Sequence, residues 1–237
     1  MSAAPAVLGA HPGPLPLQAA ADGLAGSQLE LLGVLAALSL LPFAILMVTS
    51  FSKMAVVLSI VRSALGTQQA PPTVVLTGLA AVLTAAVMGP TAERTWSEAR
   101  LAWGQAHGAA ALAEQAPRVA APLRAFLLRH GSAEERARFA DLARELRPPE
   151  EAGLVSEEDL GVVVPAFVLT ELKEAFTIGF LVFLPFLVLD MLVANVLLAL
   201  GMQTLSPSQV SLPFKLLLFV AVDGWDLLAR GLLLGYR

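Results

Sequence analysis

The chain contains no cysteine, which excludes disulfides, thiol nucleophiles and thiolate metal sites. Its three histidines, His11, His107 and His130, lie far apart, and no pair has metal-ligand spacing. It has no glycine-rich phosphate loop, so nothing in it binds nucleotide. Charge is also scarce, at 14% of 237 residues, and the net charge of −4 gives no argument for a nucleic-acid partner. No nucleophile, base and orienting group cluster along the chain. No catalytic residue, metal or cofactor is therefore expected.

What the chain has in excess is apolar surface. It is 57% hydrophobic, with a mean hydropathy of +0.73, too greasy for an ordinary soluble domain and fitting a polytopic membrane protein. Residues 91–160 hold 9 Arg and 12 Asp or Glu, 21 of the 34 charges. The expected fold is thus an all-α membrane protein. Two apolar helical hairpin blocks, 29–90 and 161–237, flank a soluble amphipathic segment, 91–160, after a flexible leader, 1–28. The leader has no Lys or Arg and so lacks the basic start of a secretory signal peptide. No internal repeat is evident.

Residues 31–52 run for 22 positions without a charge, long enough to cross a bilayer, with Pro42 placed to kink the span. A second helix is expected over 74–88. Lys53 and Arg62 between them are the only basic residues before Arg94, which places this connection in the cytoplasm and the middle segment on the far, periplasmic side. In that segment Val119, Leu123, Phe126 and Leu127 share one helical face, and Phe139, Leu142, Ala143 and Leu146 share another. Ser132 with Glu135 forms a capping box, Pro148 and Pro149 stop that helix, and Ser156 with Asp159 marks the next start.

The last block is greasy but interrupted. Glu171, Lys173 and Glu174 precede an uncharged stretch to Asp190, and Lys215 and Asp223 follow a polar loop, 201–207. An ionised side chain at the bilayer centre costs about 2.5–3.5 kcal/mol on the insertion scale, so such charges need partners or a wall of protein and water. A helix end near the interface would account for Glu171 and Asp223, less well for Asp190 and Lys215. Breaks at Pro185, Gly201, Pro207 and Pro213 would suit a protein-lined cavity.

Four stretches make the chain recognisable: LPFAILMVTSFSKMAVVLSIVRSALGTQQAPP (41–72), PLRAFLLRH (122–130), PAFVLTELKEAFTIGFLVFLPFLVLD (165–190) and ALGMQTLSPSQVSLPFKLLLFVAVDGW (199–225). They resemble the FliP/SctR family, the core export-gate subunit of type III secretion and flagellar export. The resemblance implies a non-enzymatic role in the bacterial inner membrane. Several copies, typically five, would assemble with two smaller membrane subunits into a helical cone around a channel for unfolded substrate proteins. Larger export-gate components and an ATPase would be further partners. It also implies a gate loop at Gly201, Met202, Gln203 and Thr204, where relatives commonly carry a run of methionines. Here only Met202 keeps that pattern. Glu171 and Lys215 match positions that form a salt bridge between neighbouring copies. Lys53, Arg62, Asp190 and Asp223 are the other charges expected within the membrane blocks. Lys53 in SFSKMAVVLS leans the resemblance toward the injectisome branch. The reading from another class is a secondary transporter or ion-channel subunit with Asp190 and Glu171 as ion sites, though a transporter should show repeated halves.

Overall fold

The computed structural model describes residues 32–33, 35–36, 38–67, 70–105, 109–202 and 204–237. The leader, 1–28, lies outside the described residues. The chain divides into two units, Met1–Ile45 and Leu46–Arg237. Helix α1 (Leu38–Met47) falls mostly in the first. Pro42 lies within it, and Leu38, Leu40, Leu41, Phe43 and Ile45 are exposed along it.

The expected span 31–52 stops early, because residues 48–50 turn. Thr49 explains the stop. Its hydroxyl donates to the Leu46 carbonyl at 3.3 Å and accepts from the Phe51 amide at 3.4 Å, competing with the helical bonds. Helix α2 (Phe51–Leu65) begins directly after. This corrects the sequence reading, which took 53–72 as a connection between spans. Met54, Val57, Leu58, Val61 and Leu65 recur at helical spacing, and all are buried, which makes α2 the centre of the core.

Helix α3 (Thr73–Gln105) passes through Pro90 and runs well beyond the expected 74–88. The end of α3 with helices α4 (Ala109–His130), α5 (Ala133–Glu145) and the single turn α6 (Pro149–Ala152) carries the polar segment. On α4, Phe126 and Leu127 are buried as the face pattern predicts. On α5, Phe139 and Ala143 pack against Ala140, Val155 and Val162, whereas Leu142 and Leu146 are exposed. Ser132 holds the N-cap position but its hydroxyl makes no capping bond. Glu135 is instead drawn to the cations Lys173 and Arg138, which outbid a backbone amide. At the next start the reciprocal contact does form, as the Asp159 carboxylate accepts from the Ser156 amide at 2.9 Å.

Helix α7 (Leu160–Ala199) has 40 residues, about 60 Å at 1.5 Å per residue, roughly twice a bilayer's apolar thickness. Pro165 and Pro185 both lie inside it, and Pro213 lies inside α8 (Pro207–Ala221). The expected breaks at Pro185 and Pro213 are therefore absent. An isolated proline removes one backbone bond, and the neighbouring turns of a long apolar helix carry the chain through. The breaks at Gly201 and Pro207 stand, because there the chain reverses between α7 and α8. Helix α9 (Gly224–Leu234) follows a turn at Asp223.

Helices α2 and α7 run alongside each other in the same direction. Gly179 permits the approach, since a Cβ there would fall 2.4 Å from Ile60 Cδ1 and 3.1 Å from its branched Cβ. Helices α3, α4, α5 and α8 pack around this pair, and α9 meets α3 and α8. Among the described residues two helices, α3 and α7, are long and apolar enough to cross a membrane. Helices α1 and α2 supply a third only if counted as one broken span.

Candidate functional site

Among the described residues the buried charges other than Glu135, which pairs with Lys173 and Arg138, gather at the two ends of α2. Near its start, Lys53 Nζ lies 2.9 Å from Glu171 Oε1 and 2.6 Å from Glu174 Oε2. Lys53 and Glu171 are buried at 3% and 0% exposure, so each depends on the other for solvation, whereas Glu174 is half exposed. Tyr236 completes the group. Its hydroxyl donates to Glu171 Oε2, and the Lys53 ammonium sits 4.2 Å from the centre of its ring. A lysine near a helix N-terminus meets an unfavourable dipole, and two carboxylates offset it here.

At the other end, Lys215 Nζ lies 2.6 Å from Asp190 Oδ2 and donates to the Ala64 carbonyl at 3.2 Å. That carbonyl belongs to the last turn of α2, where intrahelical donors run out, so Lys215 caps the helix. Ser211 adds a hydroxyl to Asp190. Ser211, Lys215 and Phe219 recur every fourth residue and are the buried stripe of α8. This is why a lysine stands in a greasy helix.

Glu171 and Lys215, paired with each other in the sequence reading, thus have separate partners within one chain. Arg62 donates to the Thr73 hydroxyl at 2.8 Å, at the turn between α2 and α3. Asp223 stands at the N-cap position of α9 in left-handed backbone, φ 52°, and marks a helix junction. Among the described residues, no three His, Asp or Glu side chains converge as a metal ion would require.

The turn at 201–206 is well defined at its start. The Met202 amide donates to the Leu197 carbonyl at 2.9 Å and the Gly201 amide to Leu198 at 3.0 Å, with Gly201 at φ 73°. These are the two bonds of a Schellman cap, which needs a left-handed residue after the helix. Met202 and Thr204 are exposed, and Gln203 lies outside the described residues.

Several members of these clusters escaped the sequence reading. Glu174 follows Glu171 at helical i+3 spacing, and two carboxylates on one face point to a shared cation. Tyr236, the one tyrosine of the chain, gave no local signal, since its partner lies 65 residues away. His130 was noted only for metals. Its ring lies 4.6 Å from Phe126 and 5.1 Å from Tyr236. Burial foremost, then the cations Arg129 and Lys53, hold its pKa below the ordinary histidine value, against an opposing pull from Glu174.

Comparison with known proteins follows the same residues. The family described as the FliP family matches residues 34–232. The hypersensitivity response secretion protein HrcR of Ralstonia nicotianae is 45% identical over 204 residues, covering 85% of this chain and 94% of the relative. The Yop proteins translocation protein R of Yersinia pestis is 42% identical over 209 residues, covering 88% and 96%. The flagellar biosynthetic protein FliP of Pectobacterium carotovorum is 46% identical over 205 residues, covering 86% and 76%. The apolar helices and these relatives fit an inner-membrane protein. With a match across nearly all of its helical body, the chain belongs to the FliP family.

Proposed function

We propose that the chain is the pore-forming core subunit of a type III export gate, conducting unfolded proteins across the bacterial inner membrane. The observation that carries this is the long hairpin of α7 and α8. Beyond Ala175 it presents Phe180, Leu184, Val188, Leu192, Leu217 and Val220 to the outside, while its charges are neutralised internally at Asp190 and Lys215. Such a surface is built to be covered by lipid or other subunits. Membership of the FliP family, and relatives named for secretion, translocation and flagellar biosynthesis, supply the rest of the support.

In this proposal several copies, five by the resemblance, stand with two smaller membrane subunits around an axis. The hairpin tips at 201–204 then form the narrowest ring. Larger export-gate components, an ATPase and unfolded substrates are the remaining partners. A Glu171–Lys215 bridge between copies remains part of the proposal, but in this chain it has to form at the expense of the Lys53 and Asp190 pairs. The periplasmic placement of 91–160 rests on the basic residues between α1 and α3, Lys53 and Arg62. Lys53, one of the two basic residues that argued for a cytoplasmic connection, is spent in an ion pair.

Gentle detergent extraction followed by mass measurement of the intact complex tests the proposal. A several-fold assembly carrying small partner subunits is expected. A stable monomer or dimer without partners would overturn it and return the transporter reading to the front.

A further inference from the structure

A cavity of about 430 Å³ lies where α3, the end of α4 and the C-terminus after α9 meet. Its lining is divided. Ala86, Val87, Phe126 and Leu233 make one side apolar, whereas Arg94, Arg129 and His130 bring cations or donors to the other. The guanidiniums have no countercharge at hand: among the described residues neither lies within 4 Å of a carboxylate. Glu93, the neighbour of Arg94 in sequence, is exposed and forms no ion pair with it, and the next acidic groups are engaged elsewhere. Glu171 and Glu174, behind the Tyr236 wall, are held by Lys53, and Glu98, one turn along α3 from Arg94, is held by Arg118 at 2.8 Å.

The position along α3 gives this division a meaning. From Thr73 to Ala92 the helix has 20 residues without a charge, about the thickness of a bilayer's apolar layer, and Glu93 and Arg94 follow at once. Trp96, one turn beyond that boundary, is exposed on the same helix, as interfacial tryptophans are. The cavity therefore straddles the level where acyl chains give way to headgroups. A phosphate with an adjoining hydrocarbon chain satisfies both of its sides, and a purely apolar or purely ionic ligand satisfies only one.

We propose that this cavity binds an anionic phospholipid, with the phosphate on Arg94 and Arg129 and an acyl chain along Ala86, Val87 and Leu233. Guanidinium suits the task, because its planar fork makes two hydrogen bonds to a phosphate where an ammonium acts as a point charge. The bound lipid would tie the end of α4 and the C-terminal turn to α3 beside the Lys53 cluster. The site depends on membrane placement and not on the export reading, so failure of one leaves the other standing.

The test uses the full chain, purified in mild detergent with whatever subunits extract with it. Retention of phosphatidylglycerol is compared with that of phosphatidylcholine by native mass spectrometry. The expected preference is about thirtyfold, the equivalent of two cations at about 1 kcal/mol each near an anionic surface. Arg94→Gln with Arg129→Gln should bring the two lipids near parity, and lysine at both positions should keep most of the preference. In the unaltered protein a photoreactive phosphatidylglycerol should label residues within 86–94, 126–130 or 233–236. That result decides the matter even where the double variant fails to fold. Equal retention of the two lipids, a preference undiminished in the glutamine variant, or labelling confined elsewhere overturns the proposal. Inorganic phosphate alone should not raise the melting temperature. A rise equal to that given by phosphatidylglycerol would make this a free-anion site and overturn the lipid assignment.

Discussion

The two halves of α7 are one continuous helix with opposite fates. From Leu160 to Ala175 it buries Val162, Val163, Ala166, Phe167, Thr170, Glu171 and Ala175 against the helices packed around it. From Phe176 onward only Gly179, Phe186 and Leu197 are buried, although the stretch is the greasier of the two. Hydrophobicity and burial have parted company. In a soluble domain the greasiest segment would find the core, because removal from water drives packing. Here the less apolar half, with a glutamate at its centre, makes the core, and the more apolar half faces outward. The inner half holds the protomer together and the outer half is spent on something outside it.

The sharpest way to break that division is at Glu171. Its replacement by alanine leaves Lys53 buried with only the half-exposed Glu174 as counterion, at a cost of roughly 3–5 kcal/mol for a broken buried pair. Glu174→Ala, three residues away on the same helix, should cost no more than about 1 kcal/mol, as exposed ion pairs do. Melting temperatures in detergent report both. Near-equal losses would show that the cluster is not organised around the Lys53–Glu171 pair. The exchange Glu171→Lys with Lys215→Glu adds a second reading. Within one chain it sets lysine beside lysine and glutamate beside aspartate, so any recovery over the single changes has to come from a neighbouring copy.

Next in size is Gly179, which stands just past the boundary and faces α2. A methyl group there meets the branched part of Ile60, which cannot swing away as a flexible chain end would. Gly179→Ala should destabilise by about 1–3 kcal/mol, the usual cost of overpacking, and Ile60→Ala in the same chain should return part of it. Absence of any recovery would mean that the strain lies elsewhere.

Changes on the outer half should be nearly silent by the same measure. Val188→Ser and Leu192→Ser alter residues that are exposed in the protomer, so its stability should move by less than about 0.5 kcal/mol. Assembly should respond instead. Cysteines placed on α7 and α8 give crosslinked ladders of several protomers in the parent chain, and these substitutions should shorten them. Protomer unfolding as severe as that of Glu171→Ala would put the outer half back in the protomer's own core.

Much of this was legible beforehand, for reasons that particular residues make plain. An all-helical, membrane-capable chain follows from composition, and the reversal between α7 and α8 from Gly201 and Pro207 at its two ends. Lys215 was singled out because a lone lysine in an apolar run demands a partner, which is a matter of solvation and needs no structure. Its partner could not be read. Asp190 reaches it across the α7–α8 hairpin, and the Ala64 carbonyl because the end of α2 packs against both helices, and that packing depends on contacts distant in sequence. Helix α2 itself was missed although Met54, Val57, Leu58, Val61 and Leu65 carry a helical period, because Lys53 and Arg62 were weighed as topology signals. Lys53 shows the cost: a basic residue counts for topology only while it stays in water, and this one does not.

The hairpin tip gives the last test, and it separates a built turn from a passive one. Gly201 is in left-handed backbone, with Met202 and Gly201 both donating back into the last turn of α7. Gly201→Ala should cost about 1 kcal/mol, the penalty for a Cβ in that conformation, and leave the protomer folded. Met202 and Thr204 are exposed, so removal of 202–204 should scarcely change protomer stability. If the tips form the narrowest ring of the assembly, however, the deletion opens it. Methionine seals such a ring well, because its unbranched thioether packs in many shapes around itself or a passing chain. Glutamine and threonine can hydrogen-bond across the gap but hold water more readily. Cells producing the deleted chain with its partner subunits should therefore leak small ions and grow slowly, and Gln203→Met with Thr204→Met should leak less than the parent. Conductance of the reconstituted complex separates these outcomes. Equal conductance in the deletion, the double methionine variant and the parent would leave 201–206 a solvent-exposed turn, and the outer half of α7 would have to be explained without a gate at its end.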